Sequence, residues 1–344
     1  MTIRSRAPLR LGLAGGGTDL SPFCDEHGGA VLNCTIDRYA YAFLEPRQDG
    51  LIVFRARDLR REERHAAGDL LDCSEGLRLH RGVYNRFAAM GRLGAGGLTL
   101  TTTVDAPAGS GLGSSSALVV AICEAFRSFS AAPLGLYDLA HMAYEIERVD
   151  LKLAGGRQDQ YAAAFGGVNF IEFLPGGRVI VNPLRIDPSI LNELETSLVT
   201  CFTSVSRDSA NIIAQQISNM ERKDELALNA LFEMKQASID MKQALLSGDM
   251  PAIGDIMYRS WRSKKQTSSI ITSDFIEEIF EAGLRAGAYA GKISGAGGGG
   301  FIFFLVPPDE RSALVAKLRE TGVEAGPVHL TSRGVETWMA PTPK

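Results

Sequence analysis

Two hydrophobic periods alternate along this chain. A two-residue alternation rich in β-branched and aromatic positions predicts strands over 7–13 (APLRLGL), 30–44, 51–56 (LIVFRA) and 98–106 (LTLTTTVDA). Later strands are expected over 178–184, 195–204, 301–306, 324–330 and 335–339. Helical spacing of apolar residues marks 76–91, 117–129, 134–151, 206–216, 273–288 and 309–322, with a long stretch over 223–265 that breaks at Gly248–Pro251. The turn at Gln48-Asp49-Gly50 predicts a hairpin joining 30–44 to 51–56. Residues 57–75 are charged and read as surface, and PLRIDPSI (183–190) reads as a connection.

Glycine punctuates this pattern unevenly. Of the 37 glycines, three clusters stand out, at 12–17, 109–113 and 295–300. The second lies in Ala106-Pro107-Ala108-Gly109-Ser110-Gly111-Leu112-Gly113-Ser114-Ser115-Ser116-Ala117, between a predicted strand and a predicted helix. Unpaired N–H groups and the positive end of the helix dipole make such a place an anion site. Glycines let backbone approach a phosphate, and serine hydroxyls can cap the helix or ligate Mg²⁺. A cap alone needs one serine, not a proline-framed run of glycines. The third cluster contains GxGxxG, but a strand (FIFFLV) follows it instead of a helix, and no GxxxxGK[ST] occurs anywhere.

Composition narrows the classes. The 344 residues are 45% hydrophobic and 22% charged, ordinary for a globular protein of one or two domains. A net charge of −4 argues against a nucleic-acid or anionic-membrane partner, so phosphate binding must be local. No apolar run approaches the ~18 residues of a membrane span, and MTIRSRAPLR lacks the apolar core of a signal peptide. Five scattered cysteines without a CxxC fit a reducing cytoplasm and argue against disulfide or metal frameworks. His65 and His80 have no partner at metal-ligand spacing and read as ordinary surface or capping histidines.

Several charged residues stand near the glycine clusters. Arg10 alternates with Leu9 and Leu11, as a solvated residue or a phosphate-facing cation. Asp19, after Gly16-Gly17-Thr18, either accepts bonds from substrate hydroxyls or caps the SPFCDEHG turn. Glu145, Glu147 and Asp150 share one helix, most of them on its solvated face. Asp159 follows Gly155 and Gly156 at a helix start, within reach of Glu147, as a site carboxylate or a cap. Arg207 near a helix N-terminus opposes the dipole, which an anion would explain. Arg259, Arg262, Lys264 and Lys265 form a basic run of the kind that is usually a solvated face.

Three glycine motifs in this order, APLRLGLAGGGTDL, APAGSGLGSSSALV and KISGAGGGGFIFF, resemble the GHMP small-molecule kinase superfamily of galactokinase, homoserine kinase, mevalonate kinase and phosphomevalonate kinase. The resemblance covers most of the chain. It implies an α/β (α+β) two-domain fold with the active site in the cleft between domains, divided as residues 1–195 and 196–344. It implies that Pro107, Gly109, Ser110, Gly111, Leu112, Gly113, Ser114, Ser115 and Ser116 wrap the ATP phosphates. Ser115 falls on the Mg²⁺ ligand, with Ser114 and Ser116 as neighbours. Glu147 falls on the Mg²⁺-binding glutamate, with Glu145 as the alternative. Asp159 falls on the catalytic aspartate, and Arg10 on the cation some members use at the reacting oxygen. Gly16, Gly17, Thr18 and Asp19, with Gly297 and Gly298 of the third motif, fall near the substrate.

The departures point within the superfamily. GGGTD replaces the Gly-Glu-His that galactokinase carries before Thr-Asp, and GGRQDQ replaces the PSGVD-like loop of mevalonate kinase. With EIERVDLKLAGGRQDQYAAAFGG as a block, the chain resembles the heptose and fucose kinases of the superfamily, which phosphorylate an anomeric hydroxyl. A sugar-phosphate acceptor needs a second cationic pocket. Arg207 is the first candidate by charge, with Lys264 or Lys265 behind it. Galactokinase-like or fucokinase-like specificity and a non-catalytic sugar or nucleotide sensor are the alternatives, and a homodimer is compatible with the resemblance.

Overall fold

The computed structural model describes residues 1–93, 96–204 and 209–341. In chain order the elements are β1 (Thr2–Ala14), α1 (Phe23–His27), β2 (Gly29–Arg47), β3 (Leu51–Ala56), β4 (Arg61–Ala66), α2 (Arg78–Ala89), β5 (Gly97–Val104), α3 (Ser114–Phe129), α4 (Leu136–Tyr144), α5 (Gln158–Phe165), β6 (Val168–Phe173) and β7 (Val179–Pro183). They continue as α6 (Pro188–Ser197), β8 (Leu198–Phe202), α7 (Ser209–Glu221), α8 (Glu225–Ser247), α9 (Met250–Gln266), α10 (Asp274–Arg285), β9 (Ala290–Ile293), β10 (Phe301–Leu305), α11 (Arg311–Glu320), β11 (Glu324–Pro327) and β12 (Glu336–Ala340). A π-helical turn, Glu145–Asp150, extends α4.

The strands form two sheets. The larger runs β12-β1-β2-β5-β3-β4, and β2 also pairs β6, which pairs β7. The smaller is β11-β8-β10-β9, antiparallel throughout. The length of β2 explains the branching: Gly29–Cys34 pairs β6, and Ala40–Arg47 pairs β5. The expected hairpin between β2 and β3 is not formed. β5 inserts between them, antiparallel to β2 and parallel to β3, while β3 makes its hairpin with β4. The charged 57–75 stretch therefore holds an edge strand, REERHA, whose exposed charges suit an edge. The connection after β7 holds α6, capped by Asp187 and started by Pro188.

Helix α3 is buried along most of its length and packs on β1 and β2. Val119, Val120, Ile122 and Phe126 are fully buried, each stabilising the fold by roughly 1.5–3 kcal/mol. This is what anchors the end of the serine loop. The break between α8 and α9 has a local cause: Gly248 closes α8 at a φ of 74°, Asp249 caps α9 through Ala252 N, and Pro251 occupies its first turn. One hydrophobic core spans the large sheet, α2–α5, the inward faces of α8 and α9, and Phe303 and Leu305 of β10. A second gathers the other face of the small sheet with Ile276, Phe280, Leu314 and Leu318 of α10 and α11. The last strand, β12, returns to pair with β1. Among the described residues no helix is long and apolar enough to cross a membrane.

Candidate active site

The serine loop ends where α3 begins, at Ser114, three residues earlier than the periodicity indicates. No serine caps it. The N-cap is Gly113 at a φ of 75°, and Gly109 and Gly111 also have positive φ, 74° and 79°. The first intrahelical bond runs from Ala117 N to Gly113 O, so the N–H groups of Ser114, Ser115 and Ser116 face outward. They border a cleft of 340 Å³ with Gly109, Gly111 and Gly113.

Directly against this rim lies an ion pair. Arg10, on β1, is buried and donates through Nε to Asp159 Oδ1 at 2.6 Å, and its Nη2 lies 2.6 Å from the same oxygen. Its Nη1 donates to Gly111 O at 2.7 Å and Ser294 Oγ at 3.1 Å. One guanidinium therefore ties the first motif to the second, the third and Asp159. The side chain of Asp159 also sits 3.1 Å from where a Cβ on Gly113 would stand.

Asp19 is buried at the cleft floor, and its role is a cap, though not of its own turn. Oδ2 accepts from Arg157 N (2.9 Å) and Gln158 N (3.1 Å), the start of α5, and Oδ1 accepts from Gly17 N (3.0 Å) and Gln158 Nε2 (3.0 Å). Asp19 thus holds the helix that presents Asp159, while still lining the cleft. Gly16 and Gly17 line it as well.

The three acids after α4 separate cleanly. Glu145 and Asp150 pair with Arg86 at the surface, 2.8 and 2.7 Å away. Glu147 turns inward and is fully buried. Two positions on from Glu145, Glu147 falls on the opposite side of the helical turn, which is the side that meets α3. Its Oε1 accepts from Ser115 Oγ at 2.7 Å and its Oε2 from Gln160 Nε2 at 2.6 Å. Ser116 instead accepts from Gln160 and Arg148, so Ser115 is the serine matched to Glu147. A hydroxyl and a carboxylate at a phosphate-binding rim are the hard oxygen donors that suit Mg²⁺, whose other ligands would be phosphates and water. Among the described residues no group of three or more His, Cys, Asp or Glu could hold a metal by itself.

Some expected contacts are corrected. Thr18 is fully buried inside its own loop, bonded to Gly15 O and Ala30 O, and does not face the cleft. Gly297 and Gly298 pack on Ile271 instead, with Gly298 N donating to Ile271 O at 2.6 Å; Gly295 and Ala296 take their place on the wall. Pro107 is exposed, Ser110 is buried behind the rim, and Leu112 is in the core with its carbonyl accepting from Arg10 N at 3.0 Å. Arg207 lies outside the described residues. Lys265 is on the outer face of α9, paired with Glu277 and over the Trp261 ring. His80 is not a surface residue: it is buried against Thr102 Oγ1 (2.8 Å), and burial lowers its pKa to about 4.

Sequence reasoning missed Gln158, Gln160 and Arg148, and undervalued Lys264. The glutamines flank Asp159, so QDQ was itself a signal. Lys264 is buried in the cleft wall with its ammonium on Gly295 O. Burial, then the nearby Arg10 charge, lowers its pKa to about 8. Lys292 lies deeper, bonded to Leu13 O (3.2 Å) and Ser260 Oγ (3.4 Å), and burial holds its pKa well below the usual lysine range.

A glycine-framed helix start, an arginine–aspartate pair packed against it and a buried hydroxyl–carboxylate pair beside it are the parts a phosphotransferase site needs. The chain belongs to the GHMP kinase family: residues 78–167 match GHMP kinases N terminal domain, and residues 241–324 match GHMP kinases C terminal. It is 43% identical over 337 residues to D-glycero-alpha-D-manno-heptose 7-phosphate kinase of Campylobacter jejuni, covering 98% of this chain and 99% of that one. Among solved structures it is similar to a D-glycero-D-manno-heptose 1-phosphate kinase from Bacteroides thetaiotaomicron, with a TM-score of 0.83, 40% identity and coverage of 99% and 100%. A putative sugar kinase from Campylobacter jejuni superposes with a TM-score of 0.79 at 40% identity, covering 98% of each chain.

Proposed function

We propose that this chain transfers the γ-phosphoryl group of ATP to the anomeric C1 hydroxyl of D-glycero-D-manno-heptose 7-phosphate. The product is the 1,7-bisphosphate, a precursor for bacterial surface polysaccharide. The observation that carries the reading is Asp159, held by Arg10 in the cleft beside the α3 N-terminus, in a chain 43% identical, nearly end to end, to a kinase named for this sugar.

The chemistry follows from position. Phosphoryl transfer needs alignment and charge neutralisation more than covalent help. The N–H groups of Ser114 to Ser116 receive phosphate oxygens at the positive end of α3. Ser115 and Glu147 would hold Mg²⁺, which supplies charge neutralisation at the phosphates. Asp159 orients the acceptor hydroxyl and takes its proton, an undemanding task because an anomeric hydroxyl is more acidic than an ordinary alcohol. Arg10 faces the charge that develops on the transferring group. Asp19 keeps α5, and so Asp159, in place, with any sugar contact it makes additional to that. This reading assigns nucleotide, metal and catalytic carboxylates to residues 1–195 and other acceptor contacts to 196–344. Five free thiols fit a reducing compartment such as the cytoplasm.

The test is turnover. ATP consumption is measured against heptose 7-phosphate, fucose, galactose and their phosphates, and NMR locates the new phosphate. Phosphate at C1 of the heptose 7-phosphate is expected; preference for an unphosphorylated sugar would overturn the reading.

A further inference from the structure

Helix α9 is amphipathic in the usual way until its last turn. Ile253, Ile256, Met257, Ser260 and Trp261 face inward at spacings of three and four, while Arg259 and Arg262 are exposed. Lys264 continues the inward series and is only 3% exposed. An ammonium costs several kcal/mol to bury in real proteins, and a methionine would fill the same space, so packing does not account for it.

Its surroundings locate it. The ammonium has one hydrogen-bond partner among the described residues, Gly295 O, and lysine has three donors. Gly295 lies directly on Gly111, where an added Cβ would stand 2.7 Å from Gly111 Cα. Gly111 O in turn accepts from Arg10, whose other edge holds Asp159. Charges facing Lys264 come from every side: Arg10 on β1, Asp19 in the loop after it, Asp159 on α5 and Lys292 on β9. Lys264 lines the same cleft as Arg10 and Asp159.

Resting on the kinase reading, we infer that Lys264 is a second contact cation of the transfer site, binding an oxygen of the phosphoryl group as it passes from nucleotide to sugar. In that step the anomeric oxygen forms a bond to the γ-phosphorus. The bond from the γ-phosphorus to the β–γ bridging oxygen breaks, and its electron pair leaves on ADP. The acceptor proton goes to Asp159, and Lys264 keeps all its protons. Arg10 and Lys264 then approach the group from the two sides of the cleft, one from the large sheet and one from α9. The transferred anion relieves the repulsion between them.

The experiment compares Lys264→Met and Lys264→Arg with wild type across pH 7 to 9.5, using whichever sugar wild type phosphorylates fastest. Lys264→Met should lower kcat by roughly 10²-fold or more with KM for the sugar changed by less than about threefold. Lys264→Arg should recover part of kcat. Wild-type kcat/KM, which reports the free enzyme, should fall above pH 8, where Lys264 deprotonates, and Lys264→Arg should lack that limb because its guanidinium stays charged. An unchanged kcat in a folded Met variant overturns the inference. So does a loss confined to KM for a sugar phosphate and absent for its unphosphorylated form, which would make Lys264 a distal-phosphate residue. If neither variant folds, a wild-type kcat/KM profile flat to pH 9.5 overturns it alone, and a falling one supports it. If wild type phosphorylates no sugar, the kinase reading fails. The Lys264 inference is then read from the tightening of ADP binding by aluminium fluoride, which Lys264→Met must lose.

Discussion

The second and third glycine motifs interlock, and Gly111→Ala measures what that contact is worth. Gly111 has a φ of 79°, and a Cβ there would stand 2.3 Å from Ser294 O and 3.1 Å from Ser294 C. Ordinary contact begins at 3.4 Å, so about 1 Å of backbone movement is needed. Neither side yields easily. Ser294 N donates to Phe301 O at 2.9 Å at the mouth of the β9–β10 pair, and Gly111 O is held by Arg10 at 2.7 Å. The left-handed backbone costs alanine about 1–2 kcal/mol, and overpacking a rigid contact adds about 1–3 kcal/mol.

Gly176→Ala is the control that separates the two terms. Gly176 has a φ of 81° in the exposed turn between β6 and β7, with nothing within 4 Å of an added Cβ. It carries the backbone cost without the clash, and the change in unfolded-chain entropy is the same for both. Urea unfolding should therefore show Gly111→Ala about 1–3 kcal/mol less stable than Gly176→Ala. Activity should separate them further, because a 1 Å shift of the phosphate rim costs on the order of 10²-fold in kcat, while Gly176→Ala should match wild type. Equal stabilities for the two variants would refute the interlock argument, as would full kcat in Gly111→Ala.

Three further outcomes are expected. Asp159→Asn should bind a non-hydrolysable ATP analogue normally and lose roughly 10²-fold or more in kcat; unchanged kcat removes its catalytic role. Glu147→Gln keeps a partner for Ser115 and Gln160 but loses the charge, so half-maximal velocity should need roughly tenfold or more Mg²⁺, and an unaltered Mg²⁺ titration sinks the metal assignment. His80 is neutral in the fold, where burial lowers its pKa from the ordinary 6.5 to about 4. The unfolded chain therefore takes up its proton first as pH falls, and stability is lost between pH 6.5 and 4. By pH 4.5 the loss should be about 2.5 kcal/mol, and His80→Gln should remove it from urea midpoints compared at pH 7 and 4.5; equal slopes in the two proteins count against the buried, neutral assignment.

What the sequence made legible is what is local. The strand character of 7–13, 30–44 and 51–56, the break at Gly248 and the glycine-framed start of α3 depend on residues within a few positions of one another. What it hid depends on partners far along the chain. Asp19 was weighed as a local cap or a sugar ligand, but the N–H groups it caps belong to Arg157 and Gln158. Glu147 sits two positions from Glu145, so helical spacing alone separates the two, but its partners Ser115 and Gln160 lie 32 and 13 residues away along the chain. Charge alone ranks Lys264 with Lys265 behind Arg207 for the sugar phosphate, whereas its spacing from Met257 and Trp261 puts it, unlike Lys265, on the inward face. β5 inserts between β2 and β3 because a strand between two others is chosen by pairing across the sheet, which no turn signal encodes.

The glycines themselves change meaning under this distinction. Read along the chain, each cluster looks like room for a phosphate. In three dimensions the tightest approaches are between backbones: Gly15 on Ala30 O, Gly111 on Ser294 O and Gly300 on Ser110 O, where added Cβ atoms would stand at 2.0, 2.3 and 2.4 Å. Two of these three join the second motif to the third. In this chain the glycine pattern is therefore in large part a docking pattern, since the loops need glycine to reach each other before a ligand arrives. A rim assembled from the large sheet and closed by the small one holds Arg10, Asp159 and Lys264 in one place only while both contacts persist. Substitutions at Gly111 and Gly300 should accordingly weaken nucleotide binding and acceptor turnover together, whereas a glycine serving phosphate contact alone would affect the nucleotide first.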